Sequence, residues 1–157
     1  MASLQNNSAR LEDLLPVIQS YLADGKAVRF SPKGTSMLPM LRQDVDSVEL
    51  HAVNGTLRKY DLPLYRRDNG QFVLHRIVRV GDNYTCVGDN QFDLERGIRH
   101  DQMIGVVRVF YRKDRRILTT NIFYIIYCRF WHYSRGWRHL WRRGKGWLRR
   151  HLRRKKG

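Results

Sequence analysis

From Ser8 to Ala23 apolar side chains return every three or four residues, at Leu11, Leu14, Leu15, Ile18, Tyr21 and Leu22. That period predicts an amphipathic helix. Ser8 is placed to cap it, Glu12 and Asp13 lie in its first turns, and Asp24-Gly25 stops it. Beyond residue 25 the period shortens to two. Lys26 to Ser31 alternates around Ala27, Val28 and Phe30, and Val45 to Val53 sets Asp46, Val48 and Leu50 against Val45, Ser47 and Glu49. Asn54-Gly55 turns the chain. Leu62 to Arg66 is a short strand carrying Pro63, expected at a sheet edge because proline has no N–H for a ladder. Turns at Asp68-Asn69-Gly70 and Gly81-Asp82-Asn83 bracket a strand over 71–80; Tyr84 to Val87 pairs back, and Met103 to Arg112 is the last strand. Short strands joined by such turns predict a mainly β fold, a barrel or sandwich with one N-terminal helix.

A chain of 157 residues is one domain with at most an appendage. Its net charge of +16 is unevenly spread: residues 1–111 carry 14 Lys+Arg against 13 Asp+Glu, whereas 112–157 carry 16 against Asp114 alone. Trp131, Trp137, Trp141 and Trp147 all lie in that last part. The chain therefore divides into an N-terminal helix (1–25), a nearly neutral β domain (26–112) and a basic, aromatic extension (113–157). In the extension Trp137, Leu140, Trp141, Trp147, Leu148 and Leu152 share a helical face among arginines, although Gly136, Gly144 and Gly146 weaken a continuous helix. Aromatic rings with Arg and Lys suit an anionic membrane surface, reached through 117–157; nucleic acid is the weaker alternative. The longest apolar stretch, Ile117 to Trp131, is broken by Thr119, Thr120, Asn121 and Arg129 and falls short of a span. No basic segment followed by an apolar run opens the chain. The expectation is a cytoplasmic protein held peripherally at the inner face of the membrane. Cys86 and Cys128 are expected as reduced thiols, and no Cys/His grouping suggests a metal or other cofactor.

Chemistry enters with two runs, Lys33-Gly34-Thr35-Ser36-Met37-Leu38-Pro39-Met40 and Phe72-Val73-Leu74-His75-Arg76-Ile77-Val78, and with the box Gly88-Asp89-Asn90, 13 residues after the histidine. A serine hydroxyl is a weak nucleophile near neutral pH. It needs a base within hydrogen-bond reach, and a third group to orient that base.

With these residues in place, the stretch from Val28 to Tyr111 resembles the superfamily that joins signal peptidase I to the SOS-repressor autoproteases. The Ser-Met-x-Pro box is Ser36-Met37-Leu38-Pro39; Gln43 to Val48, Lys59 to Tyr65 and Ile104 to Val107 resemble further family segments. His75 falls where the family places its general base. A histidine there is similar to the endoplasmic-reticulum and sporulation-type signal peptidases; other members use lysine. An imidazole with a pKa of ~6.5 is largely neutral at pH 7 without a large shift. The resemblance implies a signal-peptidase-like β fold and a serine endopeptidase that removes a leader or signal peptide through an acyl-enzyme. It places Glu95, just before Arg96-Gly97, as the orienting acid, with Asp89 as the alternative. The Ser36 N–H becomes the oxyanion donor. Gly34 would let the backbone approach closely, and Met37 stands beside the nucleophile as a packing residue or substrate contact. Gln43 departs from the glycine usual before the Asp, a change expected to alter a turn.

Two other readings stand beside this one. The first is a catalytically inactive peptidase-fold module attached to membrane or RNA through its basic tail. The second is a repressor-like autoprotease, for which residues 1–25 hold one helix, too little for a helix-turn-helix.

Overall fold

A computed structural model describes residues 2–141, with side chains from residue 11 onward. The first element, α1 (Ala2–Ala23), begins earlier than Ser8, which lies in its interior. Ala2, Leu4, Gln5 and Ala9 are good helix formers and carry the helix back past the expected cap. Its contact face is narrower than the sequence stripe. Leu22 is buried, and Leu11, Leu15 and Ile18 are half-buried; Leu14 and Tyr21 remain exposed.

Nine strands follow: β1 (Val28–Phe30), β2 (Asp46–His51), β3 (Pro63–Arg66), β4 (Phe72–Leu74), β5 (Arg76–Arg79), β6 (Tyr84–Val87), β7 (Glu95–Ile98), β8 (Met103–Arg112) and β9 (Arg115–Leu118). They form two antiparallel sheets, one in the order β1-β2-β8-β3-β4 with β9 also on β8, the other β5-β6-β7. The architecture is mainly β, and among the described residues neither sheet closes into a barrel. β3 is not an edge strand: it lies between β8 and β4. Pro63 is tolerated because it is the strand's first residue, and the neighbouring ladder bond runs from Val107 N to Leu62 O at 3.0 Å.

The single strand expected over 71–80 is two. β4 pairs with β3 in the large sheet, β5 pairs with β6 in the small one, and His75 is the residue where the chain crosses between them. No turn residue such as Gly, Pro, Asn or Asp stands at this crossing, so the sequence carries no mark of it. One core lies under the large sheet around Val48, Leu50, Leu62, Val107 and Phe110. A second joins Tyr65 and Val106 to Ile77, Cys86 and Ile98 of the small sheet.

The C-terminal extension begins inside the fold. β9 lengthens the large sheet, and α2 (Ile122–Tyr133) is capped by Asn121, whose side chain accepts from Phe123 N at 2.9 Å. Tyr124 and Cys128 of α2 are buried in the first core. Residues 135–141 are helical again after a turn at Ser134. The helical face expected at Trp147, Leu148 and Leu152 lies outside the described residues. Among the described residues no helix is long and apolar enough to cross a membrane.

Candidate active site

The Ser36 loop leaves β1 at Phe30 and winds through turns to β2. The Leu38–Pro39 peptide is cis. Inside the loop Asp46, buried at the start of β2, takes a bidentate pair from Arg42 (Nε–Oδ2 2.9 Å, Nη2–Oδ1 2.8 Å) and a third bond from the Arg42 N–H. The Arg42 bonds outweigh burial and hold the Asp46 carboxyl below the ordinary carboxylate range. Met37 and Met40 point into the core. The Met37 side chain thus serves as packing material in the loop.

The surroundings of Gly34 are open. A methyl group there would meet nothing within 4 Å; glycine is required by its φ of +94°. Its N–H donates to Gln43 Oε1 at 2.8 Å. Gln43, the departure from the family pattern, therefore ties down the approach to the nucleophile.

The close approach occurs at Gly88. A methyl group there would lie 2.6 Å from Ser36 O and 3.1 Å from Ser36 Cβ. Asn90 completes the contact: its N–H donates to Ser36 O at 2.8 Å and its Nδ2 to Thr35 O at 3.1 Å. Arg76 is paired with Val87 across β5 and β6. The ladder ends there: His75 and Gly88 are the residues that flank this last pair. The Gly-Asp-Asn box thus fixes the serine loop at the end of the β5–β6 ladder.

His75 is 5% exposed. Its Nδ1 lies 3.4 Å from Tyr65 Oη and 3.6 Å from Glu95 Oε2. Tyr65 spends its hydroxyl hydrogen on Glu95 Oε2 at 2.7 Å, so toward His75 it offers a lone pair. This arrangement favours the His75 tautomer with its proton on Nδ1 and the lone pair on Nε2. Glu95 is held by Arg67, whose Nε and Nη2 reach Oε1 and Oε2 at 2.6 and 2.7 Å. Burial would raise the Glu95 carboxyl, but hydrogen bonds from Arg67 and Tyr65 prevail and hold it below its ordinary value. Burial drives the His75 imidazole down to about 4, against the pull of Glu95.

Asp89 has different partners. It forms a bidentate pair with Arg76 (Nε–Oδ1 and Nη2–Oδ2, both 2.8 Å), and both side chains are 2% exposed. Arg76 Nη1 also donates to Tyr124 Oη at 2.8 Å and Cys128 Sγ at 3.0 Å. Tyr127 Oη donates to Asp89 Oδ2 at 3.0 Å, and Trp131 Nε1 to Asp89 O at 2.7 Å. The carboxylate nearer the base in sequence thus binds α2 to the body, while Glu95 reaches the imidazole. Sequence reasoning missed Tyr65, Arg67 and Arg76. Arg76 stands beside the histidine in the quoted run, but nothing local reveals its partners; Tyr65 and Arg67 reach Glu95 across 30 and 28 positions of chain. Among the described residues no group of His, Cys, Asp or Glu could hold a metal ion. No family model, curated protein or solved structure matches the chain.

Proposed function

We propose that the protein is a serine endopeptidase, with a signal-peptidase-like fold, that removes a leader or signal peptide from a precursor. The carrying observation is the junction at Gly88. One glycine abuts the Ser36 backbone and Cβ, and it directly follows Val87, the β6 partner of the Arg76 that directly follows His75.

In this reading Nε2 of His75 takes the Ser36 Oγ proton as Oγ attacks the scissile carbonyl carbon. The Ser36 N–H receives the developing oxyanion. The imidazolium formed is steadied through Nδ1–H by Tyr65 and, behind it, Glu95. The proton passes to the leaving amine, and an acyl-Ser36 ester remains. His75 then deprotonates a water, which hydrolyses the ester and frees the serine. The substrate is an extended peptide. β1 and β4, the two ends of the large sheet's strand order, lead directly to Ser36 and His75, and an edge strand can take such a segment by main-chain pairing. The protein works in the cytoplasm, peripherally at the inner face of the membrane, where the basic extension meets anionic lipid.

A time course of peptide cleavage in a mixed precursor library, read by mass spectrometry, tests the proposal. The wild type is expected to generate new termini that Ser36→Ala and His75→Ala do not. Equal cleavage by all three, or none by the wild type, contradicts it.

A further inference from the structure

A second concavity takes no part in the mechanism above. A cleft of about 650 Å³ lies between α2 and the body, lined among others by Arg58, Lys59, Arg108 and Arg129, with Thr119 and Thr120 at its wall. Ser36, His75 and Glu95 are not among its lining residues. Its floor includes Tyr60, Tyr124 and Cys128, the groups that receive Nη1 of the buried Arg76. Asp61 is the one carboxylate of the lining; it accepts from Arg58 N at 2.8 Å and from Arg108 Nη1 at 3.4 Å. Four cations against one anion leave the cleft strongly positive, and Arg58, Lys59 and Arg129 are exposed.

An exposed apolar stripe runs along α2 and the helical residues 135–141 that follow it. Phe123, Ile126, Phe130, Tyr133, Trp137 and Leu140 follow at three- and four-residue steps, and each is more than half exposed. A stripe of this length is unusual on a soluble surface without an occupant. Arg129, three residues on from Ile126 and about 60° from it around the helix, lines the cleft on the side toward the stripe. Its long stem can lie along apolar surface while the guanidinium reaches polar groups. The occupant that suits both features is apolar below an anionic layer. A second copy of the chain would bring together two segments that each hold 16 Lys+Arg against one acid in 112–157. A nucleic acid would satisfy the cations and leave Ile126 and Leu140 wet.

We propose that cleft and stripe together form a docking surface for an anionic phospholipid bilayer, with a lipid phosphate held by Arg58, Lys59 and Arg129 while Phe130 and Trp137 enter the interface. The proposal rests on the membrane-surface reading above and adds to it a headgroup site in the folded body, separate from the basic tail.

Co-sedimentation of the full chain with phosphatidylcholine vesicles, with and without phosphatidylglycerol, tests it. The wild type is expected to partition onto the mixed vesicles alone. An Arg58→Ser/Arg129→Ser variant should lose about tenfold in apparent affinity or more. Phe130→Ser should lose a similar factor, with thermal melts like the wild type because these side chains are exposed. If the cleft variant binds like the wild type while Arg153→Gln/Arg154→Gln binds weakly, the tail alone is the anchor; the membrane reading survives and the cleft proposal falls. If the wild type binds neither vesicle, both fall. Light scattering that shows a dimer broken by Phe130→Ser would assign the stripe to a second copy and overturn the proposal. So would a single-stranded RNA that binds through the same residues and displaces the vesicles.

Discussion

His75 is neutral because it is buried, and that has consequences for both activity and folding. Its folded value of about 4 lies below the ordinary 6.5, so between these values the unfolded chain binds more protons than the native one. The stabilisation is complete above pH 6.5 and is lost as pH falls toward 4, by roughly 3 kcal/mol. Half-buried His132, also lowered by burial, acts in the same direction. Glu95, held below its ordinary value, adds a loss at still lower pH. The urea midpoint of the wild type should therefore drop between pH 6.5 and 4, and His75→Gln should flatten much of that slope. An unchanged slope would mean that the imidazole is not buried neutral. For catalysis the same burial predicts an acid limb of kcat/KM near pH 4, well below that of a solvated histidine. Tyr65→Phe removes the hydroxyl between imidazole and carboxylate. It should lower kcat on the order of tenfold, leave KM nearly unchanged and shift the acid limb; a change in KM alone would reduce Tyr65 to a packing residue.

At the scale of elements the site depends on how loops and strands meet. Gly88→Ala forces a methyl group against Ser36 O, backbone that cannot turn aside. A cost of about 1–3 kcal/mol and a larger loss of activity should follow, because the Ser36 loop must move. Activity like that of the wild type would show that the loop is not positioned there. The β elements legible in the sequence are β1, β2, β3, β6 and β8, each within a residue or two of the expected strand. β7 (Glu95-Arg96-Gly97-Ile98) and β9 (Arg115-Arg116-Ile117-Leu118) are nearly all polar or unalternating, and only pairing with β6 and β8 makes them strands. Ser36 and His75 are conspicuous in the sequence because each stands in a run of specific composition. For the two carboxylates the residues alone leave Asp89 and Glu95 open, because they differ in partners that arrive from β3, β5 and α2; the order taken from the family resemblance, Glu95 first, agrees with the carboxylate found beside His75.

In the whole molecule, one buried ion pair connects the proposed site to α2. Arg76 neighbours His75, Asp89 neighbours Gly88, and together they hold Tyr124, Tyr127, Cys128 and Trp131 of α2. Asp89→Ala leaves a buried guanidinium uncompensated and should cost about 3–5 kcal/mol. Its first sign should be faster hydrogen exchange across 122–133, ahead of the β8 amides; uniform acceleration would mean that α2 is not a separately docked unit. No local pattern announces this pair, since its members are 13 residues apart and its other partners come from 48 and 52 residues away. The central claim, that the fold delivers an imidazole to Ser36, is tested most directly by a serine-directed fluorophosphonate probe followed by mapping of the adduct. The account predicts one labelled site, Ser36, with labelling lost in His75→Ala and retained in Asp89→Asn where that variant is folded. Label on another serine, or label on Ser36 at an undiminished rate without His75, would contradict it.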